Sequence, residues 1–310
     1  MIFAICILAS YLTKKPIKVL ANTNTTSIDA EPTFEKNIPI KFSIVVTATS
    51  KSPEAAMFEG GRWLHSRKMA HSVVAICHPK GLLLLDTGLG KNIDNEFVDM
   101  PFLSRSLISY EDLEPIADQL DGSTFCPGRQ MQIVLSHLHW DHASGIEDFP
   151  HATIWVGPNE LTSAKTSGAQ KGYIKAQFDN PDIKWKTITY TSKPYLNYEL
   201  SFDFFDDGAV VLVPMKGHSK GSVGLFLNMG KNKNYFFTGD TTWSLEGFEL
   251  PAHKHALMRP MVDEDVSILE EEILRVHALM NLKPSIAVVP AHYHKNYPQA
   301  AIYPKVVQSQ

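Results

Sequence analysis

The sequence predicts a layered α/β fold. Strand-length apolar runs alternate with helical stretches in both halves of the chain, and several of those runs end on, or within a few residues of, a histidine or an aspartate. A strand's last residues are held by its ladder, and the loop beyond can turn side chains into one crevice. In layered α/β folds that edge is where ligands collect.

The elements read in order as follows. KFSIVVT at 41–47 and SVVAIC at 72–77 have strand composition, and Lys80–Gly81 turns the second into LLLLD at 82–86, a hairpin whose second strand is apolar on both faces. Asp86-Thr87-Gly88 ends it in a loop. EDLEPIADQL at 111–120 carries a short amphipathic helical pattern. MQIVL at 131–135 is a buried strand running into SHLHWDH, and 152–156 is another short strand. Residues 158–194 have mixed polarity and read as helix plus loops covering one side of the site. In the second half AVVLVP at 209–214 leads to Gly217-His218, strands at 224–228 and 235–238 lead to Gly239-Asp240, and SIAVVP at 285–290 leads to Ala291-His292. The clearest helix is 265–282, with Val266, Leu269, Ile273, Val276 and Met280 on one face, Asp263 or Asp265 as cap and Pro284 as stop.

The bulk numbers exclude several classes. A chain of 310 residues with 44% hydrophobic and 20% charged residues has ordinary globular composition. Its net charge of −4 and its unclustered 29 basic residues exclude a nucleic-acid-binding surface. Its 3 cysteines exclude a disulfide framework or a Cys-rich zinc module. A Cys77–Cys126 bridge is open to an exported protein, but two buried thiols are the expectation. No apolar run reaches membrane-spanning length. Residues 1–35 divide into an apolar run at 2–12, with a cleavage position near Ala21, and a polar linker. The run has signal-peptide length, but Lys14 and Lys15 follow it and no basic residue precedes it. An export signal or anchor and a plain leader both stay open, so the location is periplasmic or secreted in the first case and cytoplasmic in the second. The folded region is expected over 36–310 as one domain.

SHLHWDH at 136–142 holds three of the 13 histidines. His137 and His139, two apart in extended chain, point to the same side and can share one metal ion. Asp141 and His142 are adjacent and diverge, so they suit a second ion. Imidazole and carboxylate donors without thiolate fit zinc, and also iron, manganese or cobalt. The strand-end residues His218, Asp240 and His292 complete a set of seven.

These residues resemble the metallo-β-lactamase superfamily of binuclear metallohydrolases. The resemblance rests on LLLLDTG at 82–88, SHLHWDH at 136–142, KGHSKGS at 216–222, FTGD at 237–240 and VPAH at 289–292, and spans about residues 40 to 300. It implies a four-layer αββα sandwich of two similar halves. It implies that His137, His139 and His218 hold one Zn2+, that Asp141, His142 and His292 hold another, and that Asp240 and a hydroxide bridge them. Two divalent ions against two aspartates and one hydroxide leave a small positive excess for an anionic transition state. Asp86 is expected outside the ligand set, accepting a hydrogen bond from a ligand imidazole. Gly88, Gly145, Gly217 and Gly221 are expected to serve turns. His65, His71, His78, His151, His253, His255, His277 and His294 match no motif position and are assigned to packing or to solvated loops.

Within the superfamily a bridging aspartate is similar to glyoxalase II, lactonase and phosphodiesterase-like members, and the absence of any cysteine after Cys126 argues against β-lactam hydrolysis. HPKGLLLLDTGLG at 78–90 and SHLHWDHASG at 136–145 most resemble N-acyl homoserine lactonases. The expected reaction is hydrolysis of a lactone or ester of a small molecule, with Asp141, Asp240 and Trp243 as the catalytic set and no organic cofactor. A glyoxalase II-like thioester hydrolase and a phosphodiesterase-like member are the alternatives. Trp243 stands where many lactonases place a tyrosine. It either faces the metals as an N–H donor or packs in the core, with Tyr293 or Tyr297 as substitutes for the tyrosine.

Overall fold

The structure is a computed structural model, and it describes residues 38–230 and 233–309. The leader, its cleavage position and the linker read from residues 1–35 all lie outside the described residues.

Among the described residues, twelve strands form two sheets. The first contains β1 (Lys41–Pro53), β2 (Ser66–His78), β3 (Gly81–Leu85), β4 (Met131–Val134), β5 (Thr153–Val156), β6 (Lys184–Thr187) and β12 (Val307–Gln308), in the order β12-β1-β2-β3-β4-β5-β6. The second contains β7 (Phe202–Asp203), β8 (Val210–Pro214), β9 (Val223–Asn228), β10 (Asn234–Phe237) and β11 (Ile286–Val289), in the order β11-β10-β9-β8-β7. Strands β3 to β6 are mutually parallel, as are β10 and β11; the other pairs are antiparallel.

Side-chain alternation then dictates the layers. Leu83, Leu85, Val74, Ile76, Phe42 and Ile44 face inward and meet Leu212, Leu225, Leu227 and Phe237 of the second sheet. Their neighbours Leu82, Leu84, Val73, Ala75 and Ile133 face outward and are covered by Ile116, Ala143, Ile146 and Ala164 of helical segments. On the far side Val211, Val213, Phe226, Phe236 and Val288 are covered by Leu269, Ile273, Val276 and Leu279 of the helix Val266–Leu282. Helix, sheet, sheet, helix is the four-layer sandwich. Each fully buried Leu or Ile in it contributes about 1.5–3 kcal/mol of transfer free energy.

Several expectations need correction. The helix read over 111–120 forms only at Ile116–Leu120. Glu114 precedes Pro115 and is steered away from helical backbone, and Glu111 instead pairs with Thr49 of β1. Within 158–194 there is a helix at Glu160–Ser167, but also the strand β6, whose KWKT pattern is too polar to read because it lies at the sheet edge. Val266 is partly exposed, and Leu279 replaces it on the buried face of the long helix. Asp265 caps that helix, accepting from Ser267 and Ile268 backbone N–H groups. No helix among the described residues is long and apolar enough to cross a membrane.

Cys77 and Cys126 are joined by a disulfide, where two thiols were expected. The bridge ties the end of β2 to the loop before β4 and closes a loop of 49 residues. On chain entropy, a loop of that size corresponds to about 4 kcal/mol. The Cys77→Ala/Cys126→Ala variant is therefore expected to lose about 2–4 kcal/mol of unfolding free energy, measured by urea titration under non-reducing conditions. An unchanged midpoint would show that the bridge does not constrain the unfolded chain.

Candidate metal centre

The site forms where the strands end together. Asp86 follows β3, His137 follows β4, His218 follows β8, Asp240 follows β10 and His292 follows β11. Because β2 runs antiparallel to β3 with Val74 opposite Leu85, residues 70 and 71 lie just past the end of β3, at the same edge.

All seven sequence-predicted ligands are buried and converge. Donor atoms of His137, His139 and His218 form one group, those of His137, His142 and Asp240 another, each within 4.8 Å. His137 Nε2 and His218 Nε2 are 3.0 Å apart. Asp240 lies between the two sides: its Oδ2 is 2.9 Å from His292 Nε2 and 3.7 Å from His218 Nε2, and its Oδ1 is 3.3 Å from His142 Nε2. Asp141 Oδ2 is 3.5 Å from His292 Nε2.

These residues fit a pair of cations. His139 Nε2, His142 Nε2 and Asp240 Oδ1 are buried with no hydrogen-bond partner among the described residues. Two imidazole nitrogens 3.0 Å apart need either a shared proton or a common cation between them. Burial without a partner is costly for every one of these atoms, and a metal ion satisfies them at once.

The outer nitrogens are held from behind. His142 Nδ1 is 2.8 Å from Asp86 Oδ2, His218 Nδ1 is 2.8 Å from Asp263 Oδ1, and His292 Nδ1 is 2.9 Å from the Ala70 carbonyl. A carbonyl or carboxylate only accepts, so each ring carries a proton at Nδ1 and turns Nε2 toward the centre. Ser136 Oγ donates to Asp86 at 2.8 Å and so accepts from His137 Nδ1 at 3.0 Å, which orients that ring too. Asp86 also accepts from Ser136 N at 2.6 Å, and it occupies the left-handed region at φ 65°. Aspartate tolerates that conformation, and here it aims one carboxylate at three donors. The expectation that Asp86 backs a ligand imidazole is borne out.

Two loops carrying ligands are fastened by Glu160. Its carboxylate accepts from Leu138 N, inside SHLHWDH, and from Gly221 N and Ser219 Oγ, just after His218. On the other side of His218, Glu264 and Asp265 donate backbone N–H groups to Gly217 and His218 carbonyls. Gly217 is at φ 120°, and a Cβ there would collide with the backbone of Leu269, so the close approach of this loop to the long helix requires glycine.

Charge sorts the group. Burial acts to raise Asp240, but the His292 and His142 imidazoles outweigh it and hold the carboxyl well below its usual range. Burial acts to lower His142, but Asp86, Asp240 and Asp141 raise it well above the ordinary histidine value. Burial lowers His137 and His139, and the surrounding imidazoles add to that.

Some placements differ from expectation. Trp243 Nε1 donates to Asp240 Oδ2 at 2.9 Å, so its N–H faces the centre, and the ring packs beside Met57, Phe58, Met69 and Ala252. Tyr297 does not replace the missing tyrosine, because its hydroxyl donates to the Ala291 carbonyl and lies 2.8 Å from Ser72 Oγ. Tyr293 lies under the Arg67 guanidinium, 4.5 Å from the ring centre. His253 was expected in a solvated loop. It is buried, 3.4 Å from Glu270. His71 was assigned to packing, yet its Nδ1 is 3.0 Å from Asp141 Oδ2. Lys254 and Asp263 were missed as a pair. Lys254 is fully buried, with Nζ 2.8 Å from Asp263 Oδ1. The available signal was a lysine inside the otherwise apolar and aromatic PAHKHAL stretch.

With this geometry established, the chain matches the metallo-β-lactamase superfamily over residues 125–292, more than half its length. It belongs to that superfamily. It is 32% identical over 134 residues to the N-acyl homoserine lactonase AttM of Rhizobium radiobacter, covering 43% of this chain and 49% of AttM. It is 28% identical over 178 residues to the N-acyl homoserine lactonase AiiA of Bacillus thuringiensis subsp. kurstaki, covering 55% of this chain and 63% of AiiA. The chain thus spans about half the length of the curated relatives it matches. Among solved structures, an N-acyl homoserine lactone hydrolase with N-hexanoyl-L-homoserine at its catalytic metal centre superposes with a TM-score of 0.68 at 19% identity, over 86% of this chain and 98% of that one. AidC, a dizinc quorum-quenching lactonase, superposes with a TM-score of 0.53 at 16% identity, over 87% of this chain and 93% of that one. At these identities the structures establish the shared fold.

Two predictions follow from the outer shell. Asp86→Asn and Asp263→Asn each leave a ligand ring without its carboxylate and are expected to weaken metal binding about 10–100-fold, read by chelator competition. Unchanged affinity in both would remove the backing role. Metal affinity is also expected to fall with pH. A protonated imidazole cannot ligate, and a raised value for His142 and His292 means that protons compete from above the ordinary histidine range downward. Competition titrations from about pH 9 to about pH 6 should show weakening that begins above the pH expected of free histidine.

Proposed function

We propose that this chain is a binuclear metallohydrolase that opens a lactone or ester, with zinc as the expected ion. The carrying observation is the buried convergence of seven donor-type residues in which His139 Nε2, His142 Nε2 and Asp240 Oδ1 make no hydrogen bond among the described residues. His137, His139 and His218 would hold one ion, Asp141, His142 and His292 the other, and Asp240 both. When bound, such a pair supplies an activated water near neutral pH and a Lewis acid for the charge that develops on the carbonyl oxygen.

The chain's own residues then do the following. Asp86, Asp263, Ser136 and the Ala70 carbonyl keep ligand rings in the Nε2-bare tautomer. Trp243 fixes one oxygen of Asp240. Trp140 packs against the His71 ring and is itself backed by Phe97 and Tyr110, which keeps the second side of the cluster dry. The lactone reading draws further support from AttM and AiiA, both described as N-acyl homoserine lactonases. The Cys77–Cys126 bridge fits an oxidising compartment.

Protein purified without chelator should carry close to two metal equivalents, and Asp240→Ala should carry fewer. A panel of lactones, esters, thioesters, phosphodiesters and β-lactams should show chelator-sensitive turnover of the lactones or esters. Fully loaded protein that is inert on those but turns over a thioester or phosphodiester would overturn the substrate class. Trp243→Phe is expected to lower kcat about 10-fold, with little change in KM, by releasing Asp240. A rise in KM alone would instead put the ring in the substrate pocket.

A further inference from the structure

His71 lies on β2 in the outward row His71, Val73, Ala75, Cys77, a lone ionisable side chain in an otherwise apolar row. Its site is built. Thr47, which falls where the β1–β2 register shifts, donates its hydroxyl to the His71 carbonyl at 2.9 Å. The preceding residue, Ala70, accepts from His292 Nδ1 at 2.9 Å and donates its N–H to the His292 carbonyl at 2.7 Å. One dipeptide of β2 therefore fixes His292 through its backbone and presents a second imidazole beside it.

The His71 ring is buried and meets Asp141: Nδ1 is 3.0 Å from Asp141 Oδ2, the oxygen that His292 Nε2 also approaches at 3.5 Å. Donor atoms of His71, Asp141 and His292 lie within 4.8 Å of one another, as closely grouped as the two sets that contain motif ligands. The 3.0 Å contact equals that between His137 and His218, two rings converging on the first ion position. His71 Nε2 is buried with no partner among the described residues.

We propose that His71 is a sixth imidazole of the centre and a ligand of the second ion, alongside Asp141 and His292. The assignment rests on the binuclear reading above. It makes the two positions unequal. The first is served by His137, His139, His218 and Asp240, a set suited to tetrahedral zinc. The second is served by His71, Asp141, His142, His292 and Asp240, and with a water it reaches the six donors preferred by manganese, iron or cobalt.

The test uses the full chain loaded with Co2+. Each cobalt-bound imidazole contributes one strongly hyperfine-shifted, solvent-exchangeable N–H resonance, so wild type should show six if His71 ligates and five if it only hydrogen-bonds to Asp141. His71→Val suits the apolar row. It should lose one such resonance and release one of its two metal equivalents at a chelator concentration lower by about 10-fold or more, while keeping the other. Five resonances in wild type, or a folded His71→Val with unchanged resonances and affinity, overturns the proposal. If His71→Val does not fold, the wild-type count still decides. Wild type that binds fewer than two ions rejects the binuclear reading itself, and the His71 assignment with it.

Discussion

Everything near the strand ends follows from one constraint: imidazoles and carboxylates have been taken out of water into a space where they cannot satisfy one another. Removing an ionised carboxylate from water into a low-dielectric interior is strongly unfavourable unless opposite charge comes with it. Here Asp141 and Asp240 are buried among rings of which His137 and His218 turn Nε2 on one another and His139 Nε2 has no hydrogen-bond partner among the described residues. Protons on His142 and His292 offset part of the charge. They do nothing for the bare nitrogen of His139. Divalent cations resolve both problems together, which is why the same atoms that look frustrated as a hydrogen-bond network look complete as a donor set.

The sandwich exists in the form that makes this burial tolerable. Donors on mobile loops would each have to be ordered on metal binding. Donors placed within a few residues of β3, β4, β8, β10 and β11 are ordered by ladders whose cost is already met by the apolar layers on either side. The remaining slack lies in the turns between strand end and ligand, and each turn has its own tether. Glu160 ties SHLHWDH to the loop after His218, Asp86 ties the DTG turn to Ser136 and His142, and the start of the long helix holds Gly217 and His218. The tethers are carboxylates receiving several donors each, so they are rigid in direction as well as in distance.

That division explains what could be read from the sequence. The seven donors were legible because coordination demands particular residue types at short spacings or at strand ends, and both leave a pattern in one dimension. The strands were legible where they are apolar on both faces, as in LLLLD, and illegible at the sheet edge, where KWKT reads as loop. Asp86 was legible because it sits in a motif. His71 and Asp263 were not, because their roles come from partners 70 and 45 residues away along the chain, and Lys254 was not, because it acts through Asp263. The clue in β2 was a polarity mismatch, a histidine in register with Val73 and Ala75, which is visible only once the row is known to face the helical layer. Trp243 was legible as an indole three residues after Asp240, but which acceptor its N–H chooses was not.

Lys254 changes the charge account of the centre. Two carboxylates, Asp86 and Asp263, stand behind the ligand rings in addition to Asp141 and Asp240 among the donors. Two divalent ions with a hydroxide would leave that enlarged set one charge negative, and the Lys254 ammonium against Asp263 brings the assembly to neutrality. Its position decides which carboxylate it serves. It lies 2.8 Å from Asp263 Oδ1 and 3.4 Å from His218 Nδ1, with the Trp243 ring 5.6 Å from Nζ. Asp263 alone would favour a protonated His218, and a protonated ring is a lost ligand. Burial and then the nearby ammonium instead hold His218 below its ordinary value, while Asp263 is brought down to about 2 against its own burial by Lys254 and His218. His218 is thereby left as a neutral donor with its proton on Nδ1, the state a cation at Nε2 requires. The buried lysine acts one residue removed from the ligands, and its effect is to keep the proton and the metal from competing for the same ring.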